Sequence, residues 1–234
     1  SINQEYTTFI DIDGVKLKTF KKKQLELQDL KAKPDIRLID HMMDAGIFAE
    51  TIMREGAMQH SVAILAERTN NTFESVVQTF AALTALHDIG KCHPQFQFSI
   101  AEHDDMLLET LELFEIKNVI INNFRHERYS IQLLQELGIK NQYLHIIGYH
   151  HLGKEGDWNV QYPCTQQELW HELQQELLSK ILNNWTLTDL SGKFYRNMCA
   201  DIFWGVMVMS DWIVSGEEWK KWKTQHPVLS IREV

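Results

Sequence analysis

Proline and glycine are scarce in this chain, four and eleven among 234 residues. That scarcity argues against a sandwich of many short strands and favours long helices. Cysteine is rarer still. Cys92, Cys164 and Cys199 stand in no paired spacing, so neither a disulfide framework nor a cysteine-based zinc site is indicated, and reduced thiols are expected. Positive charge is short as well: 23 Lys and Arg against 32 Asp and Glu give a formal net charge of −9, which argues against binding nucleic acid through the overall field. A nuclease is still compatible, because bound divalent cations bring positive charge to the site and a partner subunit can hold the rest of the polymer. No apolar run reaches the roughly 20 residues that span a bilayer, and the N-terminus lacks a charged-then-apolar signal pattern. A soluble, intracellular protein that does not enter a membrane is therefore expected.

What the chain does have is apolar bulk, 44% of its residues, and eleven histidines. The bulk suffices for one sizeable core. A single domain over 1–234 is expected: an N-terminal hairpin and connector over 1–33, a helical core over 34–215 and a tail over 216–234. The expected class is all-α, a helical bundle with a small N-terminal β-hairpin.

β-formers from Tyr6 to Phe20 alternate around Asp13-Gly14 and read as that hairpin. The lysines at 21–23 and the mixed charges up to Lys33 read as a solvated face. Pro34-Asp35 reads as a helix start, with Ile36, Ile39, Met43, Ile47 and Met53 on one stripe and His41 and Asp44 one turn apart. A second helix is expected from Met58 to Arg68. Asn71 with Glu74 has capping-box spacing, and the helix that follows, through Val76, Phe80, Leu83 and Leu86, is apolar nearly all round. Such a helix is buried, so it delivers His87 and Asp88 to the inner end of the core, with Gly90 as a stop. An unpaired buried carboxylate costs several kcal/mol, and a bound cation removes that cost.

Further along, His93 and His103 read as surface residues, followed by a helix from Asp104 to Phe114. Arg125 and His126 open a helix that runs to Gly138, where His126 can point into a cleft and Arg125 can meet phosphate. His150-His151 closes the apolar segment 141–151, and two neutral imidazoles there suit a divalent metal. The loop with Lys154 can border a substrate groove. Thr165 with Glu168 repeats the capping-box spacing before a helix through Leu182 with His171 exposed, and a last apolar helix from Phe194 to Ser215 contains Asp211.

His41, His87-Asp88 and Asp211 follow the H…HD…D order of the HD phosphohydrolase superfamily. Adding His-Asp-Ile-Gly-Lys, His-Pro-Gln-Phe-Gln, Arg125-His126-Glu127 with Ser130, His150-His151 and Asp211-Trp212-Ile213-Val214-Ser215, residues 35–215 resemble the HD nuclease of type I CRISPR interference, the nuclease part of the Cascade-recruited nuclease-helicase. The resemblance implies an HD-domain helical bundle in the prokaryotic cytoplasm that hydrolyses single-stranded DNA with metal-activated water. Two divalent ions are implied, whether manganese, iron, nickel, cobalt or magnesium. One would be held by His41, His87, Asp88 and Asp211, and the other by Asp88, His126, His150 and His151, with Asp88 bridging. Lys91 is implied as a donor to a phosphate oxygen or leaving group, beside substrate contacts from Arg125 and Lys154. The implied partners are a CRISPR helicase domain or subunit and a Cascade-type surveillance complex. Leu152 separates the histidine pair from Gly153, where the family commonly has Gly directly, and the chain holds no Walker-type loop. It is therefore expected to be a stand-alone nuclease subunit or an excised domain. The competing readings are a small-molecule HD phosphohydrolase, such as a nucleotidase or cyclic-nucleotide phosphodiesterase, and a non-catalytic binding module.

Overall fold

The structure is a computed structural model that describes residues 4–12, 15–23, 25–56, 58–118, 120–139, 144, 147–148, 162–190 and 198–225, with 4–23 and 198–200 described as backbone. The hairpin is present: β1 (Gln4–Ile12) and β2 (Val15–Lys23) pair antiparallel, with Ile12 opposite Val15. Asp13 and Gly14, the expected turn, lie outside the described residues. The stretch from residue 25 to 33 is not the solvated face its charges suggest. Leu25, Leu27, Leu30 and Ala32 are buried, because apolar residues alternate with the charged ones and turn inward. β3 (Lys31–Lys33) and β4 (Ile36–Arg37) form a second short antiparallel ribbon. Pro34 and Asp35 make its turn rather than a helix start, the Ile36 amide donating to the Pro34 carbonyl at 2.7 Å, a two-residue closure incompatible with helix.

The helices follow in order: α1 (Leu38–Arg54), α2 (Gln59–Arg68), α3 (Phe73–Leu86), α4 (Pro94–Ala101), α5 (Asp105–Leu113), α6 (His126–Glu136), α7 (Gln167–Leu182), α8 (Met198–Val214) and α9 (Glu217–Gln225). α1 turns one stripe inward, from Leu38 through Met42, Ala45 and Ala49 to Met53. α3 is buried along nearly its whole length, as its all-round apolar sequence requires, and packs against α1, α2, α7 and α8. At Gly46 the α1 backbone comes so close that a Cβ would lie 2.6 Å from Trp185 Cη2 and 2.9 Å from Ala85 Cβ. α9 buries no residue. Its anchor is Asp44 on α1, which accepts hydrogen bonds from Trp219 Nε1 at 3.0 Å and from Lys223 Nζ at 2.8 Å. Among the described residues no helix is long and apolar enough to cross a membrane.

Two expected caps sit elsewhere. α3 is capped by Thr72, whose hydroxyl accepts from the Ser75 amide at 3.0 Å, while Glu74 pairs with Arg54 at 2.6 Å instead of closing a box with Asn71. Thr72→Ala should cost about 1 kcal/mol, read as a lower urea midpoint with an unchanged slope. α7 begins after Gln166 in the left-handed region, at φ 51°, and Thr165 donates to the Lys117 carbonyl rather than capping the helix. Of segment 141–151, Leu144, Ile147 and Gly148 are helical and buried; His145, His150 and His151 lie outside the described residues.

Candidate metal centre

α3 ends at Leu86, and a tight 3₁₀ turn over Ile89–Lys91 follows at once. The chain therefore folds back at the core's inner end and holds His87, Asp88 and Lys91 there, all at most 6% exposed. Gly90 does not terminate the helix as the sequence suggested. It is where this turn meets α6: a Cβ would collide with the His126 carbonyl oxygen and lie 2.6 Å from the Ser130 amide nitrogen. Ser130 locks the contact, accepting from the Gly90 amide at 2.8 Å and donating to the His87 carbonyl at 3.0 Å.

Asp88 divides its carboxylate between two groups of partners. Oδ2 lies 3.0 Å from His41 Nε2, 3.2 Å from His87 Nε2 and 2.6 Å from Lys91 Nζ. Oδ1 lies 3.2 Å from His126 Nε2. Asp211, on the last turns of α8, closes the first group, its Oδ1 at 3.2 Å from His41 Nε2 and 3.6 Å from His87 Nε2. His41, His87, Asp88 and Asp211 thus offer four ligand atoms within 4.8 Å of one another.

This donor set fits a divalent cation. Two carboxylates and two imidazoles at a buried point form a mixed nitrogen and oxygen set suited to a transition metal. His87 Nδ1 lies 2.6 Å from the Thr84 carbonyl, so that nitrogen carries the proton and Nε2 turns its lone pair to the cluster, the arrangement common in histidine ligands. Burial alone would lower the His87 pKa, yet Asp88 and Asp211 raise it to about 10. Burial would raise that of Asp211, yet hydrogen bonds from His41 and His87 hold it far below the usual carboxylate range. A cluster that otherwise needs protons to balance its carboxylates is one a metal can occupy by displacing them.

Arg125 opens α6 but is paired with Glu127, Nε to Oε1 at 2.5 Å. Glu127 is buried, and its other oxygen lies 3.6 Å from His126 Nδ1, so it sets a negative charge beside the ring that faces Asp88. Sequence reading gave Glu127 no role, although a carboxylate beside a candidate histidine ligand is a recognisable signal. His103 is exposed, as expected, but His93 is not a surface residue. It is fully buried, caps α4 by accepting the Gln95 amide, and lies against Phe124 and Tyr129 with ring centroids 4.6 Å away; burial lowers its pKa to about 4. Gln97 is another buried residue that the sequence did not mark, donating to the carbonyls of Lys31 and Lys91. His150, His151 and Lys154 lie outside the described residues, so the expected histidine pair and groove contact are not placed.

A helical body that brings a His-Asp pair, a second histidine and a distant aspartate to one buried point is that of an HD-type metal-dependent hydrolase. The sequence matches the family described as "Cas3, HD domain" over residues 23–220, and the chain belongs to it. A comparison with curated proteins finds no match. Among solved structures, the fold is similar to T. fusca Cas3 with ADP (20% identity, TM-score 0.66, covering 86% of this chain and 24% of that one). It is similar also to a chain of a CRISPR RNA-guided surveillance complex in a pre-nicking state (19%, 0.63, 83% and 25%). A third likeness is to the Thermus thermophilus cas3 HD domain in the presence of Ni2+ (20%, 0.53, 82% and 76%). The chain thus spans about a quarter of the length of the first two and most of the third.

Proposed function

We propose that this HD domain is a nuclease that hydrolyses phosphodiester bonds of single-stranded DNA in CRISPR interference, with two divalent ions at a site bridged by Asp88. The observation that carries the reading is the division of the Asp88 carboxylate, one oxygen toward His41, His87 and Lys91 and the other toward His126. His41, His87, Asp88 and Asp211 would hold one ion; Asp88 and His126, together with His150 and His151, would hold the other. When bound, such a pair supplies positive charge at the entering and leaving oxygens and a water acidic enough to attack phosphorus at neutral pH. The chain's own contribution is orientation: Thr84 fixes the His87 tautomer, Glu127 sets a negative charge beside His126, and Ser130 ties the two histidine-bearing segments together. Lys91, whose ammonium pairs with Asp88, would donate to a phosphate oxygen or to the leaving group. Likeness to Cas3 chains supports a helicase domain or subunit and a Cascade-type complex as partners, in a prokaryotic cytoplasm.

A matrix of metals against substrates tests the reading. With manganese, nickel, cobalt, iron or magnesium, at least one ion should support cleavage of single-stranded DNA, and at a hundred times its Kd that ion should add about 2.7 kcal/mol of stability. Phosphate release from nucleotides with no oligonucleotide cleavage would favour a small-molecule phosphohydrolase. No metal-dependent rise in Tm would leave a non-catalytic module.

A further inference from the structure

The His-Pro-Gln-Phe-Gln stretch forms the cap and first turn of α4, and none of its side chains belongs to the proposed ligand set. Two of its glutamines nevertheless tie it down around the centre. Buried Gln97 binds the Lys31 amide and carbonyl, each at 2.9 Å, and donates to the Lys91 carbonyl at 2.8 Å, while Gln95 accepts from the Ile121 amide at 3.0 Å. Phe96, between them, is therefore held in place. Its partly buried ring has the Lys91 ammonium over one face, 5.4 Å from the centroid, and meets the His126 imidazole at 5.3 Å and 65°. Lys91 belongs to the Oδ2 side of Asp88 and His126 to the Oδ1 side, so one ring adjoins both halves of the centre. His126 also lies on the open edge, with a side chain 16% exposed against 1% or less for His41, His87 and Asp88.

The Lys91 ammonium lies 2.6 Å from Asp88 Oδ2, the oxygen that also faces His41 and His87. In the two-ion reading that oxygen is a ligand, and a divalent cation beside it repels the ammonium. A second attraction is then needed to keep Lys91 in the centre. The negative face of an aromatic ring attracts a cation within about 6 Å of its centroid, more strongly where water is excluded, and Phe96 offers such a face. We propose that Phe96 is a positioning residue: its ring holds the Lys91 ammonium on the His126 side of the centre, within reach of the scissile phosphate, when Asp88 serves as a metal ligand. This rests on the nuclease reading above.

The test uses the full chain, the ion that best supports cleavage and a fluorescent oligothymidylate. Phe96 is replaced by mono-, di- and trifluorinated phenylalanine, which keep the shape of the ring while weakening its negative face. The kcat should fall stepwise with fluorine number, by about tenfold at the third, as expected for the loss of one desolvated cation–π contact. KM and metal affinity should stay within about twofold, because the contact is used in the transition state and lies outside the ligand set. Phe96→Leu should lose as much kcat as the trifluorinated ring, and Phe96→Tyr, which keeps a π face, should stay within about twofold of the wild type. A kcat that is flat across the fluorinated series would overturn the assignment. So would a rise in KM alone, which would make the ring a stacking surface for a base, or a loss of bound metal, which would place its effect on His126. A wild type that releases phosphate from nucleotides but leaves the oligonucleotide intact with every metal would overturn the nuclease reading, and this inference with it.

Discussion

Asp88→Asn should lower metal-dependent cleavage of single-stranded DNA by at least about a thousandfold while leaving the far-UV circular dichroism unchanged. The size follows from what one carboxylate does: both of its oxygens face prospective ligand groups, and metal-ion stabilisation of a phosphoryl transition state is worth several kcal/mol, each 1.4 kcal/mol being a factor of ten in rate. Asparagine keeps the shape, so the helix end and the 3₁₀ turn persist. Asp88→Ala should lose activity equally. Both substitutions leave the buried Lys91 ammonium, 2.6 Å from Asp88 Oδ2, without its negative partner, and because stranding one member of a buried ion pair typically costs about 3–5 kcal/mol, both should also lower stability. Undiminished cleavage by either variant at saturating manganese would remove Asp88 from the mechanism.

Gly90→Ala should cost about 3 kcal/mol of stability, the upper end for overpacking, and most of the activity. The added carbon meets the His126 carbonyl and the Ser130 amide, both backbone, and no rotamer change relieves that. The turn and α6 must separate, which moves His126 away from Asp88 and breaks the Ser130 bonds to Gly90 and His87. Gly205→Ala is the control. Among the described residues nothing lies within 4 Å of a Cβ at that exposed helical position, so the substitution should be neutral or stabilising by up to about 1 kcal/mol. Urea unfolding and manganese-dependent cleavage of the two variants separate a packing constraint at Gly90 from a general effect of losing glycine.

The centre was legible where chemistry and periodicity agreed. An all-round apolar helix ending in His-Asp has to carry those side chains inward, and α3 does so. Boundaries were less legible because they depend on backbone conformation rather than residue type. Asn71 and Thr72 are both good caps, and only the extended backbone at Thr72 decides between them. Pro34-Asp35 suits a helix start as well as a tight turn, and the pairing of Ile36 and Arg37 with the preceding strand selects the turn. His93 was misplaced because Cys-His-Pro reads locally as a loop, whereas its burial comes from Phe124 and Tyr129, more than 30 residues away.

The central claim, that Asp88 bridges two ions, is tested most directly by counting and locating metals in the reconstituted protein by elemental analysis and anomalous diffraction. Two ions per chain, about 3.5–4 Å apart on either side of the Asp88 carboxylate, with His126→Ala retaining one, are predicted. A single ion per chain, with the same occupancy in His126→Ala as in the wild type, would contradict it.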